Sequence, residues 1–235
     1  MRVAAIHQPQ YLPYLGFFHK VNQADVFVVM DDVQFQRRGV QHRNRIKSPS
    51  GPRWITVPVL RSAQPRGGDG RSEQVTNDVL IDRNDAWQRR HLTAMRLSYA
   101  RSPFFERYWD PLKDLLDRPW ERLVELDIAT TRWSMDAMGI ATPSLLMSSL
   151  DVEGAASELL VNICSAIGAD RYISGPGGKR YMDLDLFEAA GIEVLWQEFE
   201  SPRYVQPFPQ VGFLPDLSVV DALFSCGPDV KAFLE

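Results

Sequence analysis

The side chains with the most chemistry to offer come early, in Ile6 to Lys20, IHQPQYLPYLGFFHK. His7 directly follows an apolar run, and an imidazole at a strand's end can serve as acid, base or phosphate donor near neutral pH. Gln8 and Gln10 can read polar ligand edges with Tyr11 beside them, while the prolines at 9 and 13 stiffen the turn that carries them. A second polar group, Asp31, Asp32 and Gln34, closes the next apolar stretch, Asp25 to Met30. The expectation is that His7, Gln8 and Asp32 are catalytic and that Gln10, Tyr11, Asp31 and Gln34 contact substrate. The plainer alternative is that His7 and Gln8 only satisfy backbone groups in a rigid turn.

The stretch YISGPGGKRYMD, Tyr172 to Asp183, runs from an apolar segment into glycines and a lysine. Glycines let backbone amides approach an anion closely, so Ser174, Gly175, Gly177, Gly178 and Lys179 are expected to bind phosphate. The spacing is neither G-x-x-x-x-G-K-[ST] nor G-x-G-x-x-G, because Arg180 stands where a hydroxyl residue belongs. A third set is basic: Arg37, Arg38 and then HRNRIK, His42 to Lys47. On a hairpin, Arg43, Arg45 and Lys47 share one face and His42, Asn44 and Ile46 the other. Arg43, Asn44 and Lys47 are expected to meet substrate phosphates or carboxylates. His91, between Trp87 and Met95 on an apolar helical face, reads as a core histidine, and His19 as a surface one. Cys226 in FSCGPD is a weak candidate nucleophile, with no histidine near it in sequence.

These groups need elements to position them. Val3 to Ile6 and Asp25 to Met30 read as strands buried on both faces, with Gly16 to Asn22 helical between them, which makes a βαβ opening. Such sheets gather ligands at the carboxyl ends of their strands, where His7 and Asp31 fall. The basic segment and Trp54 to Leu60 form a hairpin-like excursion, and the glycine-rich segment 61–74 is expected to be a mobile loop, whose use as a lid the sequence leaves open. Helical periodicity runs from Asn84 to Ala137, broken at Pro103 and Pro119. Strands at Leu145 to Met147, Arg171 to Ile173 and Glu193 to Trp196 then alternate with helices at Glu153 to Ile167 and Leu184 to Ala190. The fold expected is α/β, a Rossmann-like parallel sheet with an inserted β-hairpin and a helical block at about 84–140, all within a single α/β domain over 1–235.

Among the 235 residues, 45% are apolar, which is enough for a sizeable core. A formal net charge of -4 gives no global basic field, so no nucleic-acid partner is expected. Cys164 and Cys226 lack metal or C-x-x-C spacing, and no apolar run is long enough to span a bilayer. A cytoplasmic protein without a bound metal or a membrane partner is therefore expected.

The segments HQPQYLPYLGFFHKVNQADVFVVMDDVQF, HRNRIKSPSGPRWITVPV, YISGPGGKRYMD and LPDLSVVDALFSCG together resemble the WbqC-like family, in order and over nearly the whole chain. That family is associated with surface-glycan and natural-product gene clusters, so the resemblance implies a biosynthetic role. At the level of fold, the opening also resembles nucleotidyltransferase-like enzymes such as pantothenate synthetase, whose His-x-Gly-His motif binds ATP phosphates at this turn. Here, Tyr14 and Phe17 flank Gly16 where the histidines would stand. The function expected is amide formation by acyl or aminoacyl transfer to an amine on a sugar nucleotide or natural-product intermediate. The donor would be an adenylate made with ATP or a carrier-bound acyl group, and no cofactor would be tightly held. His7 would deprotonate the attacking amine or polarise the acyl group, Gln8, Gln10 and Asp32 would position the amine, and Ser174, the glycines and Lys179, helped by Arg43 and Lys47, would hold phosphates. The alternatives are a nucleotidyl or glycosyl transferase with Mg²⁺ on Asp31 and Asp32, or a sugar-nucleotide-binding module without catalysis.

Overall fold

In the computed structural model, which describes residues 1–37, 39–60 and 74–235, the first βαβ unit forms where the apolar pattern places it. Val3–His7 is β1, Leu15–Asn22 is α1 and Val26–Val29 is β2, whose four residues are all buried, as a strand covered on both faces requires. Arg43–Ser48 (β3) and Gly51–Thr56 (β4) pair antiparallel as a separate hairpin, its turn made by Gly51 at φ 111°. Three helices follow, Trp87–Tyr99 (α2), Phe105–Leu116 (α3) and Leu123–Met138 (α4). The alternation then resumes with Ser144–Leu146 (β5), Ala156–Ala166 (α5), Arg171–Ser174 (β6), Leu184–Ala189 (α6), Glu193–Trp196 (β7) and Val219–Cys226 (α7).

The five sheet strands are all parallel, in the order β5-β2-β1-β6-β7. Counted along the sheet strands alone this is 3-2-1-4-5, the first five positions of the doubly wound dinucleotide-binding order. The chain leaves β1 for β2 on one side and returns for β6 on the other, so the connections part company between β1 and β6. Alternate strand residues feed two cores. Ala5, Phe27 and Val29 pack with α1, α7 and helices α2 to α4, while Ala4, Ile6, Val26 and Val28 face α5 and α6.

Two helix starts lie later than periodicity suggests. Before α4, Leu80 bridges to Arg122 and the amide of Ile81 donates to Glu121 O at 2.9 Å, so 121 and 122 are committed to extended pairing. Before α5, Gly154 holds a positive φ of 123°, and Ala156, the first residue of α5, one of 50°, so the regular helical backbone cannot begin earlier. Arg38 and residues 61–73, most of the expected mobile loop, lie outside the described residues. Among the described residues, no helix is long and apolar enough to cross a membrane.

Candidate functional site

The turn after β1 and the glycine loop after β6, far apart in sequence, leave neighbouring strands at the point where the sheet's connections diverge. The β1 ladder with β2 continues to His7 opposite Val29, but its ladder with β6 ends at Ala5 opposite Ile173. Beyond that pair the two strands carry separate loops, His7 to Tyr11 and Gly175 to Arg180, at the carboxyl edge where open parallel sheets gather ligands. Gln197, just past β7, ties α1 to the end of β6: its amide nitrogen donates to Gly16 O at 2.6 Å and to His19 Nδ1 at 3.0 Å, and its backbone N donates to Ser174 O at 2.8 Å. His19 is therefore buried, not at the surface.

His7 donates from Nδ1 to Gln8 O at 2.9 Å, because a carbonyl can only accept, so Nε2 is left as the acceptor nitrogen. Its ring packs edge-on to Phe17 with centroids 5.2 Å apart. Burial, then the nearby Lys20 charge, pushes its pKa down to about 3, and the imidazole is neutral at physiological pH. Gln10 lies against the ring, its amide nitrogen 3.4 Å from Nδ1 and 3.5 Å from Nε2. Gln10 is 4% exposed, and its Oε1 has no hydrogen-bond partner among the described residues. A buried polar atom without a partner calls for a ligand, water or ion to satisfy it.

Lys20 is the group that sequence reasoning missed. It is 4% exposed, donates from Nζ to Ile6 O at 3.2 Å, and forms no ion pair among the described residues. Burial brings its pKa down to about 7. The available signal was its place on the apolar stripe of α1, three residues after Phe17 and one before Val21.

The remaining candidates divide. Gln8 Oε1 accepts from Gln41 Nε2 at 3.3 Å, and Gln41 is in turn 3.5 Å from Thr76 Oγ1 and accepts from the amide of Gln36, which ties the segment 36–41 to the turn. Asp31 is a latch: Oδ1 accepts from Ser148 N at 2.9 Å and Oδ2 from Ser148 Oγ at 2.6 Å and Asn77 Nδ2 at 3.4 Å. Asp32 and Gln34 are exposed, and Gln34 bridges to Val75. Both oxygens of Asp31 are thus engaged by Ser148 and Asn77, while Asp32 stands exposed beside it. Among the described residues, no three His, Cys, Asp or Glu side chains converge as a metal set.

Tyr11, Asn44 and Lys47 are interior residues instead of substrate contacts at this edge. Tyr11 is fully buried, donates to His91 Nδ1 at 3.0 Å and packs on Trp87, while His91 donates from Nε2 to Thr56 O at 3.1 Å. Asn44 donates to the carbonyls of Leu12 at 2.6 Å and Tyr11 at 3.4 Å, which pins the first turn to the hairpin. Lys47, 1% exposed, donates to Gly212 O at 2.6 Å and Gln206 Oε1 at 3.2 Å. It belongs to a buried network in which Asp221 accepts from Tyr99 OH and Tyr204 OH at 2.8 Å and Gln206 Nε2 at 2.9 Å. The face expected to be uniformly basic is thus split: Arg43 and Arg45 stack near the exposed Trp54, at 4.5 and 5.8 Å, while Lys47 runs under the 206–212 strap.

In the glycine loop, Pro176–Arg180 forms a short 3-10 turn. Ser174 is buried, with its hydroxyl turned to Gly175 O and Met182 Sδ, both at 3.2 Å. Gly178 presses on this pair so closely that a Cβ there would overlap Ser174 Oγ, while Gly177 has open space. Lys179 is exposed, its amine 5.4 Å from the Trp196 ring. Gly16 is a close-approach glycine, wedged between Tyr14 and Phe199. Aromatic packing therefore occupies the place of a histidine phosphate motif.

The parallel sheet with its doubly wound strand order and the separate hairpin define this chain as an α/β protein. The chain belongs to the WbqC-like protein family, whose model matches residues 8–232. It is 33% identical, over all of its length and 98% of the relative's, to a Mycobacterium tuberculosis (strain ATCC 25618 / H37Rv) protein named "Uncharacterized protein Rv1507c". No solved structure matches the chain.

Proposed function

We propose that the chain is a biosynthetic enzyme that joins an activated acyl or aminoacyl group to an amine on a sugar nucleotide or natural-product intermediate. The observation that carries this reading is the pair of acceptors at the mouth of β1: a neutral His7 with Nε2 unprotonated, and the unsatisfied buried Oε1 of Gln10. Two neutral acceptors side by side suit the N–H groups of an incoming amine. With its pKa near 3, His7 is a positioning acceptor in place of the general base that the sequence suggested, since a base works best when its pKa lies near the working pH. In the reaction, the amine nitrogen bonds to the acyl carbon, the bond to the thiol or adenylate leaving group breaks, and the displaced proton leaves with that group. Gly175, Gly177, Gly178 and Lys179 are assigned to the donor or acceptor phosphates, and Asp32 to the polar rim. ATP or another nucleotide is the expected soluble co-substrate.

The test is calorimetric titration against ATP, a nucleotide-linked amino sugar and coenzyme A, using wild type, His7→Ala, Gln10→Leu and Lys179→Ala. The nucleotide-linked amine should bind and be weakened by His7→Ala and Gln10→Leu, with amide product detectable by mass spectrometry when an acyl donor is added. Absence of binding at about 1 mM for all three ligands would overturn the reading. Binding without product from any donor would favour a non-catalytic sugar-nucleotide-binding module.

A further inference from the structure

Beside the His7 turn, under α4, lies a cavity of about 330 Å³ that no residue assigned so far uses. Its walls are mostly apolar: Pro9 from the His7 turn, Phe17 from α1, Phe27 and Val29 from β2, and Ile128 and Met135 from α4. Pro9 and Val29 mark the carboxyl edge of the sheet, and Phe27 lies two residues, about 7 Å, deeper along the strand. The cavity therefore runs as a groove from the His7 turn along β2 to the largely exposed segment 141–144 that leads into β5. Phe17 is shared between the cavity and the His7 turn, because the same ring packs edge-on to His7.

Its size sits at the lower end of the range of roughly 300 to 1,000 Å³ for small-molecule pockets, so it fits a fragment of a ligand and not a whole nucleotide donor. Phosphates and sugars are poor occupants of its floor, where Phe17, Phe27, Val29 and Met135 are buried; the polar lining groups, Thr131, Arg132 and Asp136 on α4 and Thr142 and Ser144 opposite, lie mostly along its solvent rim. We propose that this cavity holds the aliphatic chain of the acyl donor, with its carbonyl end towards Pro9 and the His7 turn. The proposal rests on the amide-forming reading and narrows it: the transferred group is a straight-chain acyl group, not a polar aminoacyl one.

The experiment is a calorimetric and thermal-shift series with the full chain and sodium acetate, butanoate, hexanoate, octanoate, decanoate and benzoate. Affinity should rise by about fourfold per methylene, the equivalent of roughly 0.8 kcal/mol, and level off once the cavity is full. Ile128→Trp should shorten the preferred chain, and Met135→Ala should lengthen it. Flat affinity across the series in the wild type, which needs no variant to fold, would overturn the proposal, as would a chain-length preference that neither substitution moves. Failure of the two readings is distinguishable. Chain-length-dependent binding with no amide product would remove the reaction and leave the site, whereas amide formation indifferent to chain length would remove the cavity's role and leave the reaction.

Discussion

At the scale of single residues, Lys20 sets the electrostatics of the His7 turn. In the unfolded chain its amine holds a proton up to pH 10.5, while in the folded protein it releases it near 7. The folded state thus binds fewer protons between these values, and its stability falls as pH drops from 10.5 towards 7 and levels off below. Lys20→Met should therefore raise the midpoint of thermal unfolding at pH 7 and flatten its rise between pH 7 and 9. An unchanged slope would mean that the amine is solvated. The same substitution should let the His7 pKa climb from about 3, followed through the ring Cε1–H chemical shift, and burial should still keep it below 6.5. His7, Gln8 and Gln10 were legible in the sequence because prolines fixed them at a strand end. Tyr11 was not, because its partner His91 is 80 residues away and no local pattern joins them.

Elements were more legible than side chains. Apolar runs and glycine or proline breaks placed all five sheet strands to within a residue or two: burial on both faces gives β2 a continuous apolar signature, and the exposed or half-buried edge strands β5 and β7 were still marked as short apolar runs between breaks. Polar side chains, in contrast, were assigned to ligands when several bind elements together. Asp31 fastens the turn after β5 to the end of β2, and Asp31→Ala should cost about 1–3 kcal/mol in urea unfolding by leaving the Ser148 amide and hydroxyl without their acceptor. A double-mutant cycle with Ser148→Ala should show coupling of at least about 0.5 kcal/mol. If the carboxylate were chiefly a metal ligand, the cycle would be additive and chelator would reproduce the loss. In the glycine loop, Gly178→Ala should destabilise the chain and Ser174→Gly should recover part of that loss, because the added methyl meets the Ser174 hydroxyl.

Across the whole molecule, the basic hairpin, the Pro-rich strap and the last helix are held by one buried polar network, which the sequence could show only as separate segments. Asp221→Ala, which strips acceptors from two tyrosines and a glutamine, should lower stability by about 3–5 kcal/mol. The two thiols report on the same packing. Burial raises Cys164 to about 12, and burial with Asp221 and Asp229 raises Cys226 to about 11. Native protein should resist alkylation at pH 7.5 and both cysteines should react together on unfolding; prompt labelling of Cys226 would restore it as a nucleophile. The pairing of β1 with β6 has a consequence for synthesis. Val3 meets Arg171, and the amide of Arg2 meets the Asp170 carboxylate, 168 positions later in the chain. On the ribosome, the first strand must wait with one edge open until more than two-thirds of the polypeptide has emerged, which makes the interval before β6 arrives the chain's period of greatest exposure to chaperones and to wrong partners.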